Sequence, residues 1–416
     1  MQPKAVIIGG SIGGLFMASA LKLKGWSISI HEKVSEPLSS RGAGIVTYTE
    51  LANLISRATN HSEILGISSK TRVSIDKKGS ISNKFSYPQI FTSWQHIFSL
   101  LRSSVANEEY FNGEECISFS TNKKKVTSNF SNGKIIESDL AIIATGIRSK
   151  LRPYVDKNSV PKYAGYIAWR GMVNESDLSK YALKLLSNYF AFALPIGQQF
   201  LAYPVAGEGS KAFERGKRRI NWIWYKPANA KVLGDLLTNQ SGKIFKDGIP
   251  PLEIRSELIT NLLSEAKNKL APQLFELIEK TNLPLIQPIF DLKSSKMYKN
   301  RIILTGDAAF TARPHAAMGV TKAGIDAFSL SHYLSSYSIK SDNLDSLIEP
   351  WEKDRIRTGK YLINRSKLLG KYLSTPPINK EIVMPSNKDV MKETAISIYD
   401  IDTYPPSSIK FLKDIL

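Results

Sequence analysis

The residues near the start of the chain have the types and the spacing that a dinucleotide site requires. The run Gly9-Gly-Ser-Ile-Gly-Gly14 directly follows the apolar stretch of residues 5–8. This order is typical of a tight turn from a buried strand into a helix, whose free N–H groups and positive dipole end attract a pyrophosphate. Glu32 follows at close to the separation of roughly 20 residues expected for a carboxylate that binds a ribose. The pattern predicts a βαβ unit that holds a dinucleotide; an ordinary α/β crossover without a ligand is the alternative.

Ser11 stands where the G-x-G-x-x-G pattern has its middle glycine. The middle glycine lets the backbone approach the phosphates closely, and a side chain at that position narrows the space. Because a hydroxyl can itself donate a hydrogen bond to a phosphate oxygen, we expect serine to be tolerated here.

A later loop, residues 306–319, carries a second group of chemically useful residues. It follows the apolar stretch of residues 301–305 and begins with Gly306-Asp307, with His315 further along. An imidazole that titrates near neutrality can relay a proton, so we select His315 as a catalytic candidate. The alternative is that His315 only caps the loop or the next helix. The other histidines are scattered and give no metal-ligand spacing, so we predict no metal site.

Length and composition exclude several classes of protein. A chain of 416 residues is long enough for two or more domains, because single cores stop growing at about 250–300 residues. With Cys116 as its single cysteine, the chain has neither a disulfide framework nor a cysteine zinc site. We find no signal-peptide pattern and no apolar run of about 18 residues, so we expect a cytoplasmic protein without a transmembrane segment.

The net charge of +19 is high enough to suggest a nucleic-acid or membrane partner. The basic residues are spread along the chain, however, with the densest runs at residues 123–125 and 215–219, and no nucleic-acid motif accompanies them. We therefore predict no nucleic-acid binding. Attraction of an anionic cofactor or substrate, or a simple bias of composition, explains the charge.

Two kinds of structural element must position these residues. Apolar stretches at residues 5–8, 139–144 and 301–305 predict strands that are buried on both faces, as in a parallel sheet. Segments rich in Tyr and Trp within residues 160–225 alternate in a way typical of an antiparallel sheet with one face on a pocket; alternatively, these rings only fill a core. Helices are predicted at about residues 13–24, 48–58, 251–281, 320–333 and 345–372.

Four motifs occur in a fixed order along the chain. They are Gly9-Gly-Ser-Ile-Gly-Gly14, Tyr163-Ala-Gly-Tyr-Ile-Ala-Trp-Arg-Gly171, Gly216-Lys-Arg-Arg-Ile-Asn-Trp-Ile-Trp-Tyr225 and Gly306-Asp-Ala-Ala-Phe-Thr-Ala-Arg-Pro-His315. Together they resemble the FAD-dependent aromatic hydroxylases of the para-hydroxybenzoate hydroxylase fold, and in detail the 2,6-dihydroxypyridine 3-hydroxylase branch. The resemblance covers about residues 4–370, and its specificity lies in the combination of motifs.

The resemblance implies an α/β fold, with a Rossmann-like FAD-binding domain built on a parallel sheet and a substrate domain built on an antiparallel sheet. The FAD-binding domain would be discontinuous and consist of residues 1–71, 100–158 and 293–372. The substrate-binding domain would consist of residues 72–99 and 159–292. Residues 373–416 would form a C-terminal tail, which the sequence specifies only loosely.

The resemblance also implies roles for individual residues at the cofactor. Gly9, Ser11 and Gly14 would hold the pyrophosphate of FAD, and Glu32 would bind the adenosine ribose. Asp307 would accept a hydrogen bond from the ribityl chain. The remaining predicted FAD contacts are Ile12, Lys33, the cations Arg41 and Arg102, Pro314 beside the isoalloxazine ring, and Gly319 and Val320, whose N–H groups would stabilise negative charge on the reduced flavin.

One position departs from the family pattern. The family usually has Asp-Gly after its second buried strand, a motif linked to contacts with both FAD and NADPH, whereas this chain has Thr145-Gly146. The basic and polar residues that follow, Arg148, Ser149 and Arg152, are retained. Threonine can still form a hydrogen bond at this position.

By resemblance, the protein is an FAD-dependent monooxygenase that takes electrons from NAD(P)H and oxygen from O₂. It would hydroxylate a planar aromatic or heteroaromatic small molecule through a flavin hydroperoxide. His315 would relay a proton, and Tyr203 and Tyr225 would hydrogen-bond the substrate. Two alternatives remain: another FAD oxidoreductase of the same fold, such as a dehydrogenase, reductase or epoxidase, and a flavin-binding protein without oxygenase activity. A homodimer is compatible with the sequence.

Overall fold

The computed structural model of the chain describes residues 2–36, 38, 44–60, 65–209, 211–246, 248–373 and 386–415. The strands are β1 (Lys4–Ile8), β2 (Ser27–Glu32), β3 (Gly44–Thr47), β4 (Ile67–Ile75), β5 (Ile81–Ser93), β6 (Tyr110–Asn112), β7 (Cys116–Thr121), β8 (Val126–Phe130), β9 (Ile135–Ser138), β10 (Leu140–Ile143), β11 (Lys162–Asn174), β12 (Phe190–Ala193), β13 (Gln199–Val205), β14 (Arg219–Pro227), β15 (Leu285–Lys293), β16 (Tyr298–Lys299), β17 (Ile302–Leu304) and β18 (Phe310–Thr311). The helices are α1 (Ile12–Lys22), α2 (Thr49–Thr59), α3 (Trp94–Ser103), α4 (Lys180–Leu186), α5 (Ala230–Leu236), α6 (Ser256–Lys269), α7 (Pro272–Glu279), α8 (Gly319–Tyr333), α9 (Leu344–Leu369), α10 (Asn387–Glu393) and α11 (Pro406–Ile415). Within these ranges no helix combines the length and the apolar character needed to cross a bilayer.

A six-stranded sheet carries the three apolar stretches recognised in the sequence. Its strand order is β16-β17-β10-β1-β2-β6. β1 pairs in parallel with both β2 and β10, and β10 pairs in parallel with β17. The carboxyl ends of these strands therefore meet at one edge of the sheet, which is where doubly wound sheets bind ligands. The predicted Rossmann-like parallel sheet is confirmed.

The turn from β1 into α1 depends on two of its glycines. Gly9 has a φ of +109°, a conformation that favours glycine. A Cβ atom on Gly14 would lie 1.9 Å from the carbonyl oxygen of Gly9, so any side chain there would drive the helix away from the turn. Ser11 is the N-cap residue, and α1 begins at Ile12, one residue earlier than predicted.

A nine-stranded sheet forms the second layer, with the order β18-β15-β11-β14-β13-β12-β4-β5-β3. It is antiparallel except where β12 pairs in parallel with β4. The predicted antiparallel substrate sheet is confirmed, but it includes more of the N-terminal region than expected. β3 belongs to it, and the predicted boundary between residues 71 and 72 falls inside β4. Pairing partners far along the chain decide which sheet a strand joins, and the local pattern does not reveal them.

The aromatic strands divide their side chains between the two faces of this sheet. Trp222 and Trp224 of β14 are fully buried against α6 and α7, where they fill a core. Tyr225 of the same strand lies on the opposite face, together with Tyr203 of β13 and Tyr166 of β11. The face with the tyrosines is turned towards the loop that contains His315. The tryptophans therefore fill a core, as one sequence interpretation held, and the tyrosines lie on the face that the other interpretation assigned to a pocket.

The C-terminal residues 386–415 are more closely packed than the predicted tail. Val390 and Met391 of α10 are buried in the same apolar cluster as the tyrosines. Arg72 of β4, whose side chain is completely buried, donates hydrogen bonds to the carbonyl oxygens of Met391 at 2.8 Å and of Thr394 at 2.6 Å. These partners lie more than 300 positions from Arg72, so no local pattern in the sequence indicated the contact.

Candidate active site

The glycine turn, the Thr145-Gly146 turn and the Gly306-Asp307 loop line one cavity of about 450 Å³. They meet because each follows the carboxyl end of a parallel strand, β1, β10 or β17. Of the predicted FAD contacts, the cavity is lined by Gly9, Ser11, Ile12, Glu32, Lys33, Asp307, Gly319 and Val320. Gly14 packs behind the turn instead. Arg41 lies outside the described residues.

The start of α1 presents the groups that a phosphate needs. The Ser11 side chain makes no hydrogen bond to the helix that it caps, although serine usually does so at this position. Its hydroxyl is therefore available to a ligand oxygen, together with the free N–H groups and the positive end of the helix. This geometry fits the expectation that serine can replace the middle glycine.

Glu32 is held in place at the opposite end of this turn. The side chain is buried, and its two carboxylate oxygens accept hydrogen bonds from the backbone N–H groups of Gly10 at 2.9 Å and Val34 at 3.1 Å. The hydroxyl of Tyr110 donates to the carbonyl oxygen of Gly10 at 2.9 Å and fixes the turn from the other side. Sequence reasoning missed Tyr110, which lies on β6 and has no motif around it.

Arg102 does not line the cavity. Its guanidinium donates to the carbonyl oxygen of Val105 at 2.7 Å and to the side chain of Asn107 at 2.8 Å, and it lies 4.5 Å from the ring centre of Tyr110. The predicted cation near the cofactor is thus separated from the cavity by Tyr110. Arg102 contacts the Tyr110 ring, whose hydroxyl in turn donates to Gly10 of the glycine turn.

The second turn carries its own hydrogen bonds in place of the family carboxylate. The Thr145 hydroxyl donates to the Ser149 hydroxyl at 2.6 Å, and both residues line the cavity with Arg148. Arg152 is buried and donates to the carbonyl oxygen of Ala308 at 2.8 Å. Because Ala308 follows Asp307, this hydrogen bond ties the second motif directly to the third.

A buried ion pair supports the Gly306-Asp307 loop from below. The Lys322 ammonium donates to the carbonyl oxygen of Gly306 at 3.0 Å and to a carboxylate oxygen of Asp326 at 2.9 Å. The same oxygen of Asp326 accepts from the Gly306 N–H at 3.2 Å. The Asp307 side chain is exposed to the cavity, and the nearby Lys322 charge favours its ionised form. Sequence reasoning missed this pair, although the i, i+4 spacing on α8 was visible.

His315 lies in the same loop but faces the tyrosine side of the nine-stranded sheet. Its Nε2 is 2.8 Å from the Tyr166 hydroxyl, and its ring centre is 4.6 Å from that of Tyr225. Burial, and secondarily the charge of Arg313, lowers the pKa of His315 to about 3. The expectation that this imidazole titrates near neutrality is therefore wrong, because the sequence did not show that it would be completely buried. Pro314 opens the short helical turn that contains His315.

The two tyrosines that were predicted to contact the substrate lie in one cluster but pack against different rings. Tyr225 packs on His315, whereas Tyr203 stacks on Phe91 with ring centres 4.8 Å apart. Burial raises the pKa of both hydroxyls, that of Tyr225 to about 12. Neither hydroxyl has a hydrogen-bond partner in the part of the chain that the structure describes. Both remain protonated at neutral pH and can donate to a substrate oxygen.

Comparisons with known proteins agree with this arrangement. A family model described as FAD binding domain-like matches residues 163–291. The chain is 26% identical to 2,6-dihydroxypyridine 3-monooxygenase of Paenarthrobacter nicotinovorans over 89% of this chain and 91% of that protein. The solved structure of 2,6-dihydroxypyridine-3-hydroxylase from Arthrobacter nicotinovorans superposes with a TM-score of 0.81 at 25% identity, over 93% of this chain and 98% of that one. HpxO of Klebsiella pneumoniae, solved with FAD and uric acid, superposes with a TM-score of 0.71 at 20% identity, over 89% of this chain and 88% of that one, which shows a shared fold.

The fold and the dinucleotide cavity, together with these similarities, show the para-hydroxybenzoate hydroxylase fold, and the chain is similar to flavoprotein monooxygenases of that fold. Within that class, the chain resembles the 2,6-dihydroxypyridine 3-hydroxylase branch, as its four motifs predicted. The free Ser11 hydroxyl, the N-terminus of α1 and the fixed Glu32 carboxylate fit the phosphate and ribose ends of FAD.

Proposed function

We propose that the protein binds FAD in the 450 Å³ cavity and uses NAD(P)H and O₂ to hydroxylate a planar aromatic or heteroaromatic substrate held against the tyrosine face of the nine-stranded sheet. One observation carries the proposal. The loop of residues 306–319 supplies Asp307 and Gly319 to the cavity, and Val320 follows directly after it. The same loop supplies His315 to the tyrosine cluster. A ring seated at this loop would reach both sites.

When bound, FAD supplies the electron transfer and oxygen activation, which no amino-acid side chain provides. The chain would hold the dinucleotide through α1 and Glu32. The N–H groups at the start of α8, at Gly319 and Val320, would favour negative charge at the ring end of the cavity. Asp307 would orient the ribityl chain of FAD, which links the isoalloxazine ring to the phosphates.

The tyrosine cluster would position the substrate and manage its proton. Tyr225 and Tyr203 each have a protonated hydroxyl without a partner among the described residues, so each can donate to an oxygen or nitrogen of a planar ring. A neutral imidazole can pass a proton by accepting at one nitrogen while donating at the other. His315 has Nε2 on Tyr166, while its buried Nδ1 has no partner in the described structure, so the substrate would meet Nδ1. The surrounding aromatic cluster would exclude water.

NAD(P)H is proposed as the electron donor because the reaction consumes two electrons that the substrate does not provide. Lys33, Arg148 and Lys150 line the cavity and would contact the phosphates of a nucleotide, while the carboxylates of Glu32, Glu114, Glu115 and Asp307 line the same cavity. Thr145 replaces the family carboxylate at a motif linked to NADPH. The assay below therefore compares the oxidation rates of NADH and NADPH.

The test begins with the absorption spectrum of the purified protein after incubation with FAD, where twin flavin bands are expected. The loaded protein is then assayed for NADH and NADPH oxidation and for O₂ uptake against hydroxylated pyridines and phenols. We expect substrate to stimulate both rates and a hydroxylated product to form. Stimulated oxidation that yields only hydrogen peroxide, or oxidation with no need for O₂, would contradict the monooxygenase. The variant Gly14→Val, whose side chain would clash with the carbonyl oxygen of Gly9 and disrupt the turn, serves as the control that cannot bind the cofactor.

A further inference from the structure

A second cavity, of about 300 Å³, opens at one end of the nine-stranded sheet and away from the dinucleotide cavity. Strands β11 and β14 form its floor, with Arg170, Arg219 and Asn221 among the lining residues, and the loop after α7 forms one side with Lys280. Arg170, Arg219 and Asn221 belong to the second and third motifs of the sequence, but the proposed function gives them no role.

Among the residues that the structure describes, this cavity contains buried hydrogen-bond donors that have no acceptor. Asn221 is only 1% exposed, and its side-chain nitrogen has no partner, while its oxygen accepts from the Gly44 N–H at 3.0 Å. The Nε atoms of Arg170 and Arg219 are also buried and without a partner. A buried donor without an acceptor is costly, so such a group indicates either a bound ligand or a strained site.

The charges around the cavity favour an anion as that acceptor. Arg170 is only partly engaged, through a hydrogen bond to Gln287 at 2.7 Å. Arg219 contacts Glu208, whose side chain is 86% exposed and therefore neutralises little. Lys280 adds a third positive charge. The one carboxylate of the lining, that of Asp177, accepts from its neighbours Asn174 and Ser176.

The register of the sheet places this cavity beside the tyrosine cluster. Arg170 is paired with Ile223, so Asn221 and Tyr225 are its two diagonal neighbours on the same face. Such neighbours lie about 7–8 Å apart, within reach of an arginine side chain. Tyr203 is paired directly with Asn221 across β13 and β14. The lining residues Arg170 and Asn221 are therefore direct neighbours, on the same face of the sheet, of the tyrosines against which the substrate ring is proposed to lie.

We propose that Arg170, Arg219 and Asn221 bind an oxyanion carried by a ligand whose planar ring lies against Tyr203 and Tyr225. This inference rests on the proposed function and adds to it a requirement for negative charge. The oxyanion has two chemical sources, a carboxylate on the aromatic substrate and a phosphate of the nicotinamide nucleotide. Both would meet the guanidinium groups through charge-assisted hydrogen bonds.

The experiment measures binding without turnover, by calorimetric titration of the FAD-loaded protein in the absence of a reductant. One arm compares a hydroxypyridine carboxylate with the matching carboxamide, and the other compares NADP⁺ with NAD⁺. The variants are Arg170→Met, Arg170→Lys and Arg219→Met. Arg215→Met is the matched control, because Arg215 is an exposed cation of the same domain outside this cavity.

In the wild-type protein we expect the carboxylate to bind about tenfold more tightly than the carboxamide. Arg170→Met and Arg219→Met should abolish this preference, Arg170→Lys should retain part of it, and Arg215→Met should leave it unchanged. If the methionine variants instead lose a preference for NADP⁺ over NAD⁺, the cavity binds the nucleotide phosphate, which also supports the site. Equal affinities for charged and uncharged partners in both arms, or preferences that survive both methionine variants, would overturn the proposal. Hydroxylation of an uncharged hydroxypyridine would still support the proposed function in that case.

Discussion

The Tyr166 hydroxyl lies 2.8 Å from Nε2 of His315, although 149 positions separate the two residues along the chain. Tyr166 belongs to β11 of the nine-stranded sheet, and His315 belongs to the loop that follows β17 of the six-stranded sheet. This hydrogen bond therefore joins the two layers of the molecule at the place where the substrate and cofactor sites are proposed to meet. It also gives His315 a defined neighbour for proton transfer.

The first prediction concerns this pair as a proton relay. His315→Gln and Tyr166→Phe should each lower kcat by about tenfold to hundredfold, with a smaller change in KM, because each breaks the same chain of proton transfer. The double variant should be no slower than the slower single variant, since coupled residues are not additive. Steady-state kinetics with a hydroxylated substrate measure this. Tyr163→Phe is the control, because Tyr163 lies on the same strand and donates to Ala228 at 2.9 Å. Independent, multiplying losses in the double variant would exclude a shared relay.

The second prediction concerns acid stability. The pKa of His315 falls from 6.5 in the unfolded chain to about 3 in the folded protein, mainly because of burial. Between these values the unfolded state binds the extra proton, so stability decreases as the pH falls from 6.5 towards 3. The loss can reach about 1.4 kcal/mol for each pH unit. Above pH 6.5 His315 is neutral in both states and contributes no pH dependence to stability.

Urea unfolding of wild type and His315→Gln at several pH values measures this effect. The free energy of unfolding of the wild type should fall more steeply below pH 6.5 than that of the variant. Burial also lowers the pKa of His31, but His31 is present in both proteins and cancels in the difference. Parallel pH profiles would mean that His315 is accessible to protons in the folded state.

The third prediction concerns the buried pair beneath the Gly306-Asp307 loop. Lys322→Met would leave the Asp326 carboxylate buried, with the Arg355 guanidinium at 3.7 Å as its remaining charged neighbour. We expect a loss of about 3 kcal/mol in the free energy of unfolding and weaker FAD binding, because the loop loses its support on Gly306. Urea unfolding and FAD fluorescence titration measure the two effects.

The exposed pair Lys353–Glu349 is a matched control, because it has the same i, i+4 spacing on a helix. Lys353→Met should change neither stability nor FAD affinity measurably, since solvent screens such pairs. The double variant Lys322→Met/Asp326→Leu should recover most of the lost stability by removing the unpaired charge. If the free energy of unfolding of Lys322→Met is as high as that of Lys353→Met, the buried pair does not stabilise the loop.

The dinucleotide cavity was predictable because its signals are local. Gly9 and Gly14 are required by the geometry of a single turn, and Glu32 lies at the end of the next strand. Parallel strands place their carboxyl ends at one edge, so the three predicted strands imply that Thr145 and Asp307 lie near this turn. The arrangement needed no knowledge of side-chain packing.

The tyrosine side of the site was only partly predictable, because its contacts depend on packing between distant segments. The sequence indicated Tyr225 and His315 separately, but neither their contact nor the burial that keeps the imidazole neutral. Tyr166 was visible only as part of a motif. Arg102 was predicted from family resemblance alone, and Tyr110, which separates it from the cavity, had no motif to reveal it.

The last prediction concerns Arg72 and the C-terminal segment. The guanidinium of Arg72 donates to the carbonyl oxygens of Met391, Thr394 and Ala395 at the end of α10, where the helix dipole is negative. The backbone N–H of Ala395 in turn donates to the carbonyl oxygen of His315 at 2.8 Å, so this segment contacts the loop of residues 306–319. Arg72→Met should leave these buried carbonyl groups without donors and release the segment from the sheet.

Hydrogen exchange of the intact FAD-loaded protein measures this release. In Arg72→Met, amide protection should fall at residues 386–400 and in the turn around His315, whereas β1 and β10 should keep theirs. Arg72→Lys should give partial protection, because one ammonium reaches fewer carbonyl groups than a guanidinium does. Arg215→Met, which removes an exposed cation of the same domain, should leave the exchange pattern unchanged. Unaltered protection at residues 386–400 in Arg72→Met would mean that other contacts hold the segment in place, namely the burial of Val390 and Met391 and the hydrogen bonds of Ser397 and Ile398 to Glu50.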